Sequence, residues 1–214
     1  VVAGNGIQKL REAGADVITG VLHRDGYELN RRFFTYMLQE RPYIILKWAQ
    51  TSDGFIAREN GDSKWISDLY SRQITHKWRC EEDAIMIASG TARADNPLLT
   101  VRNWTGRDPL RVVIDRHLSL PRNLNLFDGN VKTVCYNLLK DESSQNISFI
   151  KLPQKNFLES LVLSLYEQKI QSVIVEGGAQ LLSGFAEAGL WDEARIFVSP
   201  KMFLKGISAP ALKG

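Results

Sequence analysis

The chain has 214 residues, 44% of them hydrophobic and 24% charged, a balance that supports a sizeable core and argues against dominant disorder. A formal charge of +3 suits an anionic small ligand but is too mild to argue for nucleic acid, and no apolar run approaches the roughly 20 residues a membrane helix needs. The two cysteines, Cys80 and Cys135, form no CxxC and accompany no HxE pattern, so reduced cytoplasmic thiols are expected and a zinc site is not.

The opening "VVAGNGIQKL" has neither a basic head nor the apolar core of a secretory signal. The first methionine is Met37, so a piece of a longer chain is expected, and the closing "SAPALKG" looks cut as well. Residues 6–13 read as a short helix with Ile7 and Leu10 on one face and Gly14 as its stop. "ADVITG" (15–20) reads as a short strand, and 21–40 as a polar stretch becoming helical towards Glu40, where Arg41-Pro42 ends it.

"YIILKWA" (43–49) reads as a strand buried on both faces, followed by the turn signal "TSDG" (51–54). Ser67 is a plausible cap for a helix running to about Glu81, with Tyr70, Ile74 and Trp78 on its apolar side. "DAIMIAS" (83–89) is a buried strand, and "GTARADNP" (90–97) a glycine-led turn with at most a helical turn. Strands follow at 110–115, 131–137 and 147–152. Asn156 with Glu159 resembles a capping box for the helix carrying Leu158, Leu161, Val162 and Leu165. "SVIVEG" is a strand, 179–188 a helix and 194–200 a last strand. Strands alternating with helices predict a mainly parallel α/β sheet.

Several positions carry chemistry. In an open α/β sheet, ligands collect at the carboxyl ends of strands. At "VIVEGGAQ", Gly177 and Gly178 allow close backbone approach, the following helix N-terminus favours a phosphate, and Glu176 sits at the joint. Two glycines alone fit a plain strand-to-helix turn equally well. Lys47 lies inside a buried run and needs a partner or a cleft, unless its strand is an edge and it points to water. Asp53 stands at the end of the same strand. Arg72, His76 and Arg79 form a basic stripe that could hold a phosphate or be a solvated face. Thr91 can offer a hydroxyl near a strand end, with Asp95 four residues on, and Arg102, after an apolar stretch, can supply a cation, unless these are an N-cap and a solvated arginine. Asp115 and Arg116 end a strand where a 2′-phosphate could meet a cation or water, and Trp65 could stack on a planar ring or fill the core.

Taken in order, "KWAQTSDGFIA", "SKWIS", "R…H…R…EDAIMIASGTARADNPLLTVR", "PLRVVIDR" and "VIVEGGAQLLSGF" resemble the reductase domains of the bifunctional riboflavin biosynthesis (RibD) family. The likeness runs from about residue 43 to the end. Residues 1–30 resemble the tail of the family's cytidine deaminase-like domain, leaving 31–42 as a linker and 43–214 as the reductase domain. The resemblance implies a dihydrofolate reductase-like α/β fold, a mixed, mostly parallel sheet flanked by helices, preceded by a short αβ remnant of the deaminase domain. It implies NADPH-dependent reduction of the ribosyl group of 5-amino-6-(5-phosphoribosylamino)uracil by a cytoplasmic homodimer or homotetramer.

By the same resemblance Ala49, Trp65, Thr91, Asp95, Arg116 and the turn Gly178, Ala179, Gln180, Leu181, Leu182, Ser183, Gly184 fall at cofactor positions. Ser63, Arg79, Leu99, Arg102 and Glu176 fall at substrate positions. Lys47 and Glu176 are the candidates for proton handling. The chain has Ser52 where the family usually carries leucine. It also lacks the histidine and paired cysteines that hold the deaminase zinc, so no deaminase activity is expected of this piece. Two alternatives stay open: another NADPH reductase of this fold, acting on a pterin, or a nucleotide-binding module without catalysis.

Overall fold

The computed structural model describes residues 4–64 and 66–212. In chain order the elements are α1 (Asn5–Glu12), α2 (His23–Leu29), α3 (Arg31–Gln39), β1 (Tyr43–Thr51), β2 (Phe55–Ala57), α4 (Leu69–Glu81), β3 (Ala84–Ala88) and α5 (Ser89–Asp95). They continue with β4 (Leu110–Ile114), a 3-10 turn at Asn125–Phe127, β5 (Thr133–Asn137), β6 (Glu142–Ser143), β7 (Ile147–Lys151), α6 (Phe157–Glu167), β8 (Ser172–Val175), α7 (Ala179–Glu187), β9 (Glu193–Ser199) and β10 (Ile207–Ser208).

Eight strands form one sheet in the order β6-β7-β5-β4-β3-β8-β1-β9, parallel throughout except for the β6–β7 pair. The mixed, mostly parallel sheet is therefore as expected from the alternation of strands and helices. Its strands are near-continuous apolar runs because helices cover both faces. On one face Ile44, Leu46, Met86, Val112, Val173 and Val175 pack under α6 and α7 through Leu161, Leu165, Leu182 and Phe185. On the other, Ile45, Ile85, Ile87, Val113 and Ile174 pack under Ala92 of α5, Trp78 of α4 and Leu126. Alternation along β1 and β8 then puts Lys47 and Glu176 on this second face, below α4. The register pairs Leu46 with Val175, so the next residue of each strand lies beside the other.

Several local expectations are corrected. Residues 15–20 form no strand; all but the half-buried Val17 are exposed, and among the described residues no strand pairs with the run. The cap of α4 is Asp68, whose Oδ1 accepts from the Ser71 amide at 2.7 Å, rather than Ser67. Asn156 adopts a left-handed conformation and makes no side-chain cap, so the capping box does not form. Residues 89–95 make a full short helix, longer than one turn. The C-terminal stretch does build an element: β10 pairs antiparallel with β2.

The 31–42 stretch contains α3, which is held against the sheet. Arg32 donates to Glu82 at 2.8 and 2.5 Å, and the Glu82 carboxylate is fully buried. Tyr36 donates its hydroxyl to the Tyr166 carbonyl at 3.1 Å. Asp53, a candidate at a strand end, is committed to structure: its carboxylate accepts from the amides of Phe203 and Leu204.

Candidate active site

Strands β3 and β8 end side by side next to the middle of β1, which runs on to Thr51 against β9. Strand β1 lies between β8 and β9, so Lys47 cannot be an edge-strand lysine reaching for water. Its side chain is half-buried and ringed by protein, within electrostatic reach of Glu176 and Arg79. Burial lowers the Lys47 pKa below the usual lysine range; Glu176 opposes that shift and Arg79 adds to it. The Nζ stands 5.8 Å from the centre of the Phe197 ring, which stacks on Trp78 of α4 at 5.1 Å.

Arg79 reaches down from α4 and grips Glu176 with both arms of its fork, Nε at 2.8 Å and Nη2 at 2.6 Å. Both side chains are nearly closed off, 12% and 8% exposed. Burial alone would raise the Glu176 pKa, but the charges of Arg79 and Lys47 and the Arg79 hydrogen bonds hold it down at about 2. Glu176 is therefore a carboxylate at any pH near neutrality. Because its folded pKa lies below the usual 4.5, the stability it contributes is fully present above about pH 5 and is lost as pH falls through 2. Acid denaturation checks this: Glu176→Gln should lose its stability difference from the parent between those limits and keep it at neutral pH.

The basic stripe of α4 proves to be only partly a solvated face. His76 is 5% exposed and Arg79 nearly buried, whereas Tyr70, expected on the apolar side, is 70% exposed. The helix turns polar groups towards the strand ends because partners there satisfy them. Arg79 Nη1 also donates to the Thr100 carbonyl at 3.4 Å, and Arg102 donates to Thr100 Oγ1 at 3.3 Å. Arg102 thus stands beside the same group.

The glycine turn leads from Glu176 into α7. The Gly177 carbonyl accepts from the Ala88 amide at 3.0 Å, tying the ends of β8 and β3 together. Gly177 has φ +142°, a conformation that a side chain strains, and a Cβ on Gly178 would stand 3.2 Å from Thr91 Oγ1. Thr91, on α5, therefore closes over the turn. The α7 N-terminus has no side-chain cap, leaving its first amides free for an anion.

Beyond the turn, on the α6–α7 side, a cavity of about 400 Å³ is lined by Ser89, Arg116, His117, Leu158, Gln180 and Gly184, among others. Arg116 is exposed and lies over the Phe157 ring at 4.6 Å. Its neighbour Asp115 is 2% exposed and accepts from the Ser119 amide and hydroxyl and the Leu120 amide. The acid is thus committed to the loop, and the lip of the cavity is left basic.

The remaining candidates divide. Ala49 lies in the last third of β1 opposite Phe197, and Asp95 ends α5 within electrostatic reach of Lys64. Ala179 and Ser183 lie on α7, while Leu181 and Leu182 turn their side chains into the core. Leu99 is also a core residue at 2% exposure, leaving its main chain for any ligand. Ser63 sits in an exposed loop, and Trp65 lies outside the described residues. Sequence reasoning missed Ser89 and His117 on the cavity wall. Their only signal was position, immediately after β3 and just beyond β4. Among the described residues no cluster of three metal-ligating side chains occurs.

Residues 42–206 match the RibD C-terminal domain family. Among curated relatives, the riboflavin biosynthesis protein RibD of Aquifex aeolicus is 36% identical over 214 residues, 97% of this chain and 60% of that protein. Among solved structures, the diaminohydroxyphosphoribosylaminopyrimidine deaminase/5-amino-6-(5-phosphoribosylamino)uracil reductase of Thermotoga maritima is 37% identical. It superposes with TM-score 0.87 over 97% of this chain and 58% of its own. The riboflavin biosynthesis reductase Rib7 of yeast, 20% identical with TM-score 0.66, shares the fold over 87% of this chain and 89% of its own. The chain thus spans about 60% of the length of the curated relatives it matches.

Proposed function

The chain belongs to the RibD C-terminal domain family, and from that premise we propose that it carries the reductase step of riboflavin biosynthesis. The reaction is NADPH-dependent reduction of the ribosyl group of 5-amino-6-(5-phosphoribosylamino)uracil to the ribityl group. The observation that carries this reading is the Arg79–Glu176–Lys47 cluster set beside an uncapped, glycine-led helix start. One side of the turn is built for a fixed polar sugar, the other for a phosphorylated cofactor.

The residues fit NADPH. The free amides of Ala179 and Gln180 would receive its pyrophosphate, with Thr91 closing over them, and Arg116 with His117 would meet a 2′-phosphate at the basic lip of the cavity. When bound, the cofactor supplies the hydride; the protein orients, neutralises and excludes water. A side chain at Gly178 crowds Thr91, so Gly178→Val should raise the NADPH dissociation constant by about tenfold or more, read by fluorescence titration.

The ribose must open to expose a reducible C1′, and its ring oxygen must gain a proton. Glu176 is held ionised by Arg79 and cannot be that donor at neutral pH; it accepts hydrogen bonds from sugar hydroxyls and keeps Lys47 charged. Lys47 Nζ, its proton loosened by burial, is the donor. Arg102 and Arg79 set the positive field for the 5′-phosphate.

The test is NADPH oxidation followed by absorbance, with the deaminated phosphoribosylamino substrate beside the undeaminated compound and dihydrofolate. Turnover of the first alone is expected. Turnover of dihydrofolate instead, or tight NADPH binding with no turnover of any of them, would overturn the reading.

A further inference from the structure

Of the chain's three histidines only His76 is buried, at 5% exposure, in the middle of α4. A buried imidazole needs a partner, because a polar group taken out of water without one costs free energy. Its Nδ1 accepts from the main-chain amide of Arg102 at 3.3 Å. An accepting nitrogen means a neutral ring. Burial is the first reason the ring stays neutral; the charges of Arg79, on its own helix, and Arg102, on the facing loop, reinforce it. Glu176, from the end of β8, and the Thr100 backbone pull the other way.

The partner is informative. Residues 99–102 carry the Arg102 side chain and pass under α4 in an irregular path: Leu99 is buried with φ 52°. Helix α4 holds that path at two points one turn apart. Arg79 Nη1 takes the Thr100 carbonyl, and His76 takes the Arg102 amide. A third tie, the Val101 amide to Asp108 Oδ1 at 2.7 Å, comes from the far side. Among the described residues, the Arg102 guanidinium donates to the Thr100 hydroxyl alone, at 3.3 Å. Its direction therefore depends on where its own main chain is pinned.

We propose that His76 is a positioning residue for substrate binding: by accepting the Arg102 amide it sets the main chain from which Arg102 reaches the anionic group, beside Arg79. The inference rests on the reading of Arg79 and Arg102 as the phosphate-facing pair. His76 touches neither the substrate nor the cofactor in this role, and its loss should act on KM rather than on kcat.

Three substitutions separate this from a plain packing role. His76→Asn puts Oδ1 near the place of the imidazole Nδ1, keeps the acceptor and cannot be protonated. His76→Gln carries its oxygen one bond further and misplaces it. His76→Leu fills space and accepts nothing. His76→Leu and His76→Gln should each raise KM for the phosphorylated substrate about tenfold, with the NADPH dissociation constant unmoved, and His76→Asn should recover most of that loss. As pH falls below the usual histidine range, the parent KM should rise relative to that of His76→Asn. The phosphate's own ionisation cancels in that ratio.

Ribose 5-phosphate binding, measured by calorimetry on the same four proteins without turnover, should rank them identically. An unchanged KM in both His76→Leu and His76→Gln, or His76→Asn no better than they are, would overturn the proposal. If His76→Leu fails to fold, the comparison of His76→Asn with His76→Gln decides it alone. Failure of the reductase reading looks different: the parent would not oxidise NADPH, while the ranking of ribose 5-phosphate binding would persist. Failure of the His76 role leaves turnover intact and the four affinities equal.

Discussion

Lys47→Met should lower kcat for NADPH oxidation by about 10²–10⁴-fold while leaving the NADPH dissociation constant and the fold in place. Methionine matches the length and apolar stem of lysine, so the contact with Phe197 and the filling of the space below α4 survive. What disappears is the ammonium whose charge helps to hold Glu176 ionised from the β1 side of the cleft. Stability should hold or rise, because a cation half-hidden from water is replaced by a group with no desolvation cost. The check is a steady-state assay beside a thermal melt. A kcat within a few-fold of the parent, with an unchanged melt, would assign the proton transfer to another group or to water. A collapse of the melt would mean that the lysine holds the strand ends together, which its half-buried, loosely partnered position does not suggest.

Arg79→Leu should be the most destabilising single change at the site, by about 3–5 kcal/mol, because it strands the Glu176 carboxylate in a place where almost no water reaches it. For a domain of this size that is a fall in Tm on the order of 10 °C. The pair is not therefore a net stabiliser. Arg79→Leu combined with Glu176→Leu should be closer to the parent in stability than the arginine variant alone, since the cost lies in the uncompensated charge. Thermal melts of the two singles and the double measure this. Equal losses in the arginine single and the double would mean that the Arg79 stem, and its bond to the Thr100 carbonyl, carry the stability instead. The double variant should have no measurable turnover, which separates the purpose of the pair from its energetics. On the function proposed above, two expensive charges are kept because the sugar needs a fixed acceptor and the neighbouring lysine needs a counter-charge.

Much of the sheet was legible in the residues. Runs such as "YIILKWA" and "AIMIA" are apolar throughout because both their faces are covered, and such runs announce themselves without any alignment. Glycine after a strand, followed by a helical pattern, likewise placed the turn at 177–178. Local propensity misled where no tertiary partner existed or where one intervened. "ADVITG" has strand-like residues but, among the described residues, no strand beside it, and β-structure is made by neighbours rather than by residues. The stripe of Arg72, His76 and Arg79 looked solvated because spacing on a helix says which residues share a face, not what that face meets. Leu99 has its side chain in the core, which its place in a motif did not reveal.

Fully buried elements and the places where the backbone must turn can thus be read along the chain, because apolar periodicity and glycine act over a few residues. That Lys47 and Glu176 are neighbours, that Arg79 neutralises one of them, and that His76 faces Arg102 follows from the folding of distant segments together. Those pairings join residues tens to more than a hundred positions apart. Their energies depend on how little water remains between them, a property of the closed cleft and not of any one segment.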